Sequence, residues 1–128
     1  MGTTNFTSPL EDEADLRRAD SLAREIFTEV ANKWAFLIID LLGEERSLRF
    51  SELRARIEGI SHKMLTQNLR MLERNGLLDR TVHPTVPPRV DYELTEPGRA
   101  LRQVVHGMCD WTHTYLTNID ASRREFDG

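Results

Sequence analysis

A single cysteine, Cys109, stands in 128 residues, so no intrachain disulfide can form. Such sparse cysteine usage fits a cytosolic protein. No run of about 18 apolar residues is available to cross a bilayer, and no basic-then-apolar leader opens the chain. The expected location is therefore the cytoplasm, without a membrane partner. GxSxG, HExxH and phosphate-cradling glycine loops are missing as well, and Cys109 has no convincing triad around it, so neither an enzyme nor a cofactor is expected. Internal repeats and low-complexity segments are also absent. Proline is scarce, and three of the five prolines crowd into "PTVPP" at 84–88.

What is present fits one domain, large enough to bury roughly 65–70% of its unfolded surface. The net charge of −4 argues mildly against nucleic acid, but it is unevenly spread. Residues 46–90 hold 9 Lys/Arg against 4 Asp/Glu, between acidic flanks of 4 against 10 and 4 against 7. Like charge gathered in one segment creates a local field that the whole-chain average hides.

Residues 1–10 read as a tail and 11–128 as a single domain. Leu16, Ala19, Ala23, Ile26, Phe27 and Val30 recur at helical spacing. Asn32-Lys33 interrupts that stripe. "WAFLIIDLL" at 34–42 is apolar nearly all round and reads as a central helix, with Gly43 suited to its end. "SLRF" at 47–50 is either a short strand or a lead-in. Ser51 suits the N-cap of "ELRARI", and after a tight Glu58-Gly59 turn Ser61 suits that of the next helix. Two short helices so joined, at 50–75, form the skeleton of a helix-turn-helix. Ile60 and Leu65 sit where a hydrophobic staple would pack, and Gly76 and Leu77 where a Schellman motif would close. "LLDRTVH" and "RVDYELT" read as strands of a hairpin over 77–95, with the prolines in its loop. Thr95 caps a last helix, expected over 96–119, with Pro97 in its first turn. The fold class is mainly α (α+β): a winged helix-turn-helix with an extra helix at each end.

In the 61–75 helix, Leu65, Leu69 and Leu72 cluster on one face, while Lys63, Arg70 and Arg74 point away from them. Thr66 and Gln67 flank the cations, and Ser61, His62 and Lys63 fill the first turn. Lys and Arg neutralise phosphate or donate to guanine, and Gln can pair with adenine. Asn68 falls inside the apolar stripe and is expected to satisfy a backbone group of a neighbouring helix. On the hairpin, Arg80, His83 and Arg89 are placed to meet phosphate or the minor groove. Double-stranded DNA is the expected partner. On the last helix, His106, Cys109, Asp110 and His113 share one face at metal-ligand spacing. A single helix rarely completes a closed metal shell, and no distant His or Cys cluster joins them, so no metal site is assigned.

The Lys33-Trp34 pair, "LRFSELRARIEGISHKMLTQNLRMLERNGLLDR" and "VPPRVDYELTEPGRAL" together resemble the HxlR-type family of bacterial winged-helix transcription regulators. The resemblance runs from about Ser21 to Trp111. It implies a homodimer whose terminal helices, 11–31 and 96–119, form the subunit interface. Leu16, Ala23, Ile26, Phe27, Val105, Met108, Trp111 and Tyr115 would line it, which agrees with apolar stripes that need a partner. Family members commonly carry a sensing Cys-Pro pair twelve residues before the Lys of Lys-Trp. Here that position is Ser21, followed by Leu22, and a hydroxyl cannot be oxidised like a thiolate. Cys109 is left as a candidate sensor. The expected function is sequence-specific binding of a palindromic operator, under a small-molecule or redox signal. Two rivals stand beside it: a metal- or ligand-sensing regulator using the C-terminal helix, and a winged helix used as a protein-interaction module.

Overall fold

A computed structural model describes residues 12–128; the expected tail at 1–10 lies outside the described residues. The elements run α1 (Glu13–Val30), α2 (Lys33–Glu44), β1 (Leu48–Arg49), α3 (Phe50–Arg56), α4 (His62–Arg74), β2 (Leu78–His83), β3 (Arg89–Leu94) and α5 (Glu96–Asp127). The three strands form an antiparallel sheet in the order β1-β3-β2. Helix-turn-helix, hairpin and flanking helices are thus all in place.

Side-chain caps start most of the helices. Asp12, Asn32, Ser61 and Thr95 each accept an amide N–H of the first turn of α1, α2, α4 and α5. Helix α3 differs from expectation. Its N-cap position is Arg49, whose N–H donates to the Glu52 carboxylate at 2.8 Å, and Ser51 lies within the first turn. An acid three residues in does the work expected of a serine.

The core is built from α2, α3, α4 and the sheet, closed by the end of α1 and the foot of α5. Ile38, Ile39 and Leu42 of α2 are fully buried against Leu53, Leu65, Leu69, Leu72, Leu78 and Leu94. Tyr92 and Leu94 of β3 are buried as the alternation in the sequence predicts. Ile60 and Leu65 are both buried in this cluster, as a staple requires. Asn68 is buried too, but its Nδ2 donates to the Met64 carbonyl one turn back, at 2.9 Å, rather than to a neighbouring helix. The carbonyl four residues back, already an acceptor of the helix, takes the side-chain amide as a second donor.

Helix α2 runs through Gly43 to Glu44 instead of stopping at the glycine. The glycine leaves space for Arg102, whose side chain crosses α2 at this point: a Cβ at 43 would lie 2.0 Å from its Cδ and displace it. Arg102 donates to Asp40 Oδ1 through Nε (3.2 Å), with Nη2 at 3.1 Å, and His106 Nε2 donates to the same oxygen at 2.5 Å. The hydrogen bond from His106, with the charge of Arg102, holds the Asp40 carboxyl below its ordinary 3.8 despite partial burial.

Helix α5 also runs beyond expectation, to Asp127 rather than residue 119, because no glycine or proline breaks it. Its backbone departs from helical geometry at Tyr115. There the Thr112 and Thr114 hydroxyls donate to the Met108 and Asp110 carbonyls, a pattern that bends helices. From His106 to Asn118 every residue is exposed in the single chain, so this part of α5 stands off the body.

Candidate nucleic-acid interface

Helix α4 is fixed at both ends and along its buried face. Ser61 Oγ accepts the Met64 N–H at 3.0 Å, so this hydroxyl is already engaged as the cap. At the other end Gly76 adopts φ +72°, its N–H donates to the Glu73 carbonyl, and the Leu77 N–H donates to that of Leu72. Those two bonds are a Schellman motif, with Leu72 and Leu77 both buried. Thr95 then locks the stop to the start of α5: its hydroxyl donates to the Gly76 carbonyl at 2.6 Å and its N–H to that of Leu77 at 3.1 Å. Gly98 permits this approach, since a Cβ there would lie 2.0 Å from the Leu77 oxygen.

With the leucines held inward, Ser61, His62, Lys63, Gln67, Arg70 and Arg74 are exposed and Thr66 is half-buried. The His62 ring packs on Phe50 of α3, centroids 4.8 Å apart, which steadies the first turn of α4. Among the described residues, Lys63 and Arg70 have no acidic partner within ion-pair distance, whereas Arg74 sits 3.4 Å from Glu29 of α1. The helix therefore divides by position: its N-terminal two-thirds offers unpaired cations, and its C-terminal end is tied back to the body.

The hairpin cations are paired, which the sequence did not announce. Arg80 lies 3.5 Å from Glu73 of α4, and Asp91 holds both His83 (2.8 Å) and Arg89 (3.6 Å). The alternation put Arg89 and Asp91 on one face, but the reach across to His83 depends on strand register, where Thr81 faces Asp91 and His83 faces Arg89. A cleft of about 390 Å³ separates α4 from the wing, with Thr66, Arg70, Arg80 and Tyr92 among its walls. Burial pushes the Tyr92 phenol up, Arg80 opposing and Glu73 assisting, so it stays a neutral hydroxyl.

Sequence reading missed two other residues on this side. Phe50 positions His62, and Arg54 of α3 lines the same shallow cleft as His62 without an ion-pair partner among the described residues. Arg54 lies in the cation-rich 46–90 segment, which was signal enough to include it.

Away from this face, Leu16 and Phe27 of α1 and Met108, Trp111 and Tyr115 of α5 are exposed large apolar residues. Trp111 and Tyr115 pack ring to ring at 5.8 Å. Val105, expected beside them, is instead buried in its own chain, because α5 is still seated on α2 at that turn. Ala23 is half-buried, and Ile26 packs partly against the protomer's own core. Among the described residues no group of three or more His, Cys, Asp or Glu side chains converges as a metal site, His106 being turned to Asp40. Cys109, the candidate sensor, is exposed in the single chain. Ser21 is an exposed residue of α1. No described helix is long and apolar enough to cross a membrane.

The model of the HxlR-like helix-turn-helix family matches residues 29–120. The HTH-type transcriptional regulator YtfH of Escherichia coli (strain K12) is 41% identical over 103 residues, which cover 80% of this chain and 81% of that one. Among solved structures, the transcriptional regulator YtfH from Salmonella typhimurium superposes with a TM-score of 0.68 at 38% identity, covering 80% and 90%. The redox regulator HypR, in its oxidised form, superposes at 0.63 with 34% identity, covering 72% and 94%.

Proposed function

The chain belongs to the HxlR-like helix-turn-helix family of transcriptional regulators, and from that premise we propose that it binds a palindromic operator as a homodimer, placing one α4 per subunit in the major groove. Half-sites would lie about one helical turn apart, ~34 Å. The observation that carries this is the exposed, unpaired Lys63 and Arg70 beside Gln67 on a helix fixed at both ends. His62, Lys63, Thr66, Gln67 and Arg70 read base edges. The Ser61 hydroxyl fixes the N-terminus by accepting the Met64 amide, leaving those of His62 and Lys63 to a phosphate. Arg54 makes phosphate contacts, and Arg74, Arg80, His83 and Arg89 reach phosphate only by leaving Glu29, Glu73 and Asp91.

The dimer seam is the outer stripe of α5. Val104, Met108, Trp111 and Tyr115 recur at steps of four, three and four, the spacing of a coiled-coil seam, and all are exposed in the single chain. Leu16, Ala23 and Phe27 of α1 extend it. The signal is a small molecule or a redox agent, and redox sensing is favoured by the likeness to HypR. Any thiol response of this chain runs through Cys109, its sole cysteine.

Arg70→Ala tests the assignment. Operator affinity should fall by about 1–3 kcal/mol, while the melting temperature stays that of the wild type. A footprint and a melting curve both unchanged would overturn the role given to Arg70. A protein-interaction module is separated from this reading by salt: DNA binding weakens steeply with log[salt], and apolar docking does not.

A further inference from the structure

The seam proposed above lies on the part of α5 that stands off the body, so the angle at which α5 leaves α2 decides where the partner's recognition helix falls. Only the foot of α5 is seated. Gly98 and Val105 are buried, Leu101 and Arg102 are half-buried, and unbroken exposure begins at His106. The last attachments before the helix leaves are Arg102 and His106, which flank Val105 and converge on one oxygen, Asp40 Oδ1. Gly43, one turn along α2 from Asp40, leaves the channel that the Arg102 side chain occupies. Asp40 and Gly43 together therefore make a socket: one supplies the acceptor, the other the room. Arg102 enters it with two nitrogens, which fixes direction as well as distance.

Beyond the socket, His106 to Tyr115, where the helix bends, makes an arm of about 15 Å at 1.5 Å per residue. A tilt of about 10° at the foot moves the end of each arm by about 3 Å and the two arms together by about 5 Å, one to two steps of the duplex, where ten base pairs occupy about 34 Å. Small changes at Asp40 are thus amplified into whole base pairs.

We propose that Asp40, Gly43, Arg102 and His106 are positioning residues that set the centre-to-centre spacing of the two operator half-sites, without touching DNA. The inference rests on the reading of the chain as a dimer that joins through α5 and binds paired half-sites. Sequence preference within a half-site belongs to α4, and the gap between half-sites belongs to this socket.

The experiment is selection from a library of paired half-sites whose spacer varies one base pair at a time, run on wild type, Gly43→Ala and Arg102→Lys. Circular dichroism and sedimentation first establish that each is a folded dimer. Should Gly43→Ala not fold, Arg102→Lys, which keeps the charge but loses the two-nitrogen grip, carries the test alone. Wild type should select one spacer sharply. The variants should accept spacers one or two base pairs longer or shorter, with affinity at the wild-type optimum down about five- to tenfold and the half-site sequence unchanged. A folded variant dimer that keeps the wild-type spacer preference overturns the inference alone. Wild type that selects single half-sites, or none, sinks the dimer-operator reading beneath it.

Discussion

At Gly76 the chain leaves α4 through a left-handed residue, and a Cβ placed there would meet nothing within 4 Å. The requirement for glycine is therefore conformational and not steric. Gly76→Ala should cost about 1–2 kcal/mol, the expense of an L-residue at positive φ. Gly76→Asn should cost less, because asparagine tolerates that conformation. Gly98 is the opposite case: its φ is ordinary, but the Leu77 carbonyl fills the place of a side chain, so Gly98→Ala should destabilise more than Gly76→Ala. Thermal melts of the three variants rank these costs, and equal melting temperatures would refute the distinction. Gly76 is legible in the sequence as a helix stop, whereas nothing in the sequence marks the need for Gly98. That need comes only from the packing of α5 against the stop.

Between elements, the carboxylates make the difference. Asp91 lies between His83 and Arg89 and spends the wing's charge within the wing. Asp91→Asn should free Arg89 for phosphate, tighten operator binding, and steepen the plot of log affinity against log[salt] by about one unit. An unchanged slope would place Arg89 away from DNA altogether. Asp40 governs the junction of α2 and α5. Its folded pKa is lowered, so its contribution is present above pH 3.8 and is lost as pH falls through the lower folded value. The stability gap between wild type and Asp40→Asn should accordingly narrow below pH 3.8 in acid titrations. With the side chain 43% exposed, solvent screening keeps that gap modest. These junctions also mark the limit of what the sequence made legible. The caps at Ser61 and Thr95, the Schellman stop and the alternation in β3 involve residues within a few positions of each other, and each was readable in advance. Asp40 and Arg102 are 62 positions apart, so Gly43 read as a helix end when it was a channel. Arg80 and Glu73 similarly belong to different elements, and no periodicity within either could announce their pairing. On α4 the apolar and basic faces were legible from spacing alone. That Arg74 belongs to α1 was not.

For the molecule as a whole, the uncovered stripe of α5 makes assembly and DNA recognition one problem. Trp111, 58% exposed in the single chain, stands mid-stripe. Trp111→Glu should weaken the dimer by 2 kcal/mol or more, as loss of a central aromatic anchor does. Sedimentation should show monomers at concentrations where wild type is dimeric, and operator binding should weaken in step. Equal sedimentation of the two proteins would move the seam elsewhere. The self-neutralised wing has a consequence at the scale of the chromosome. Non-specific attraction to DNA grows with the number of phosphates a protein neutralises, and a genome offers millions of competing sites. A wing whose arginines are already answered by Glu73 and Asp91 gives those sites little to hold. In the proposed regulator, fewer molecules would be lost to irrelevant duplex, and a small cellular pool would keep one operator occupied.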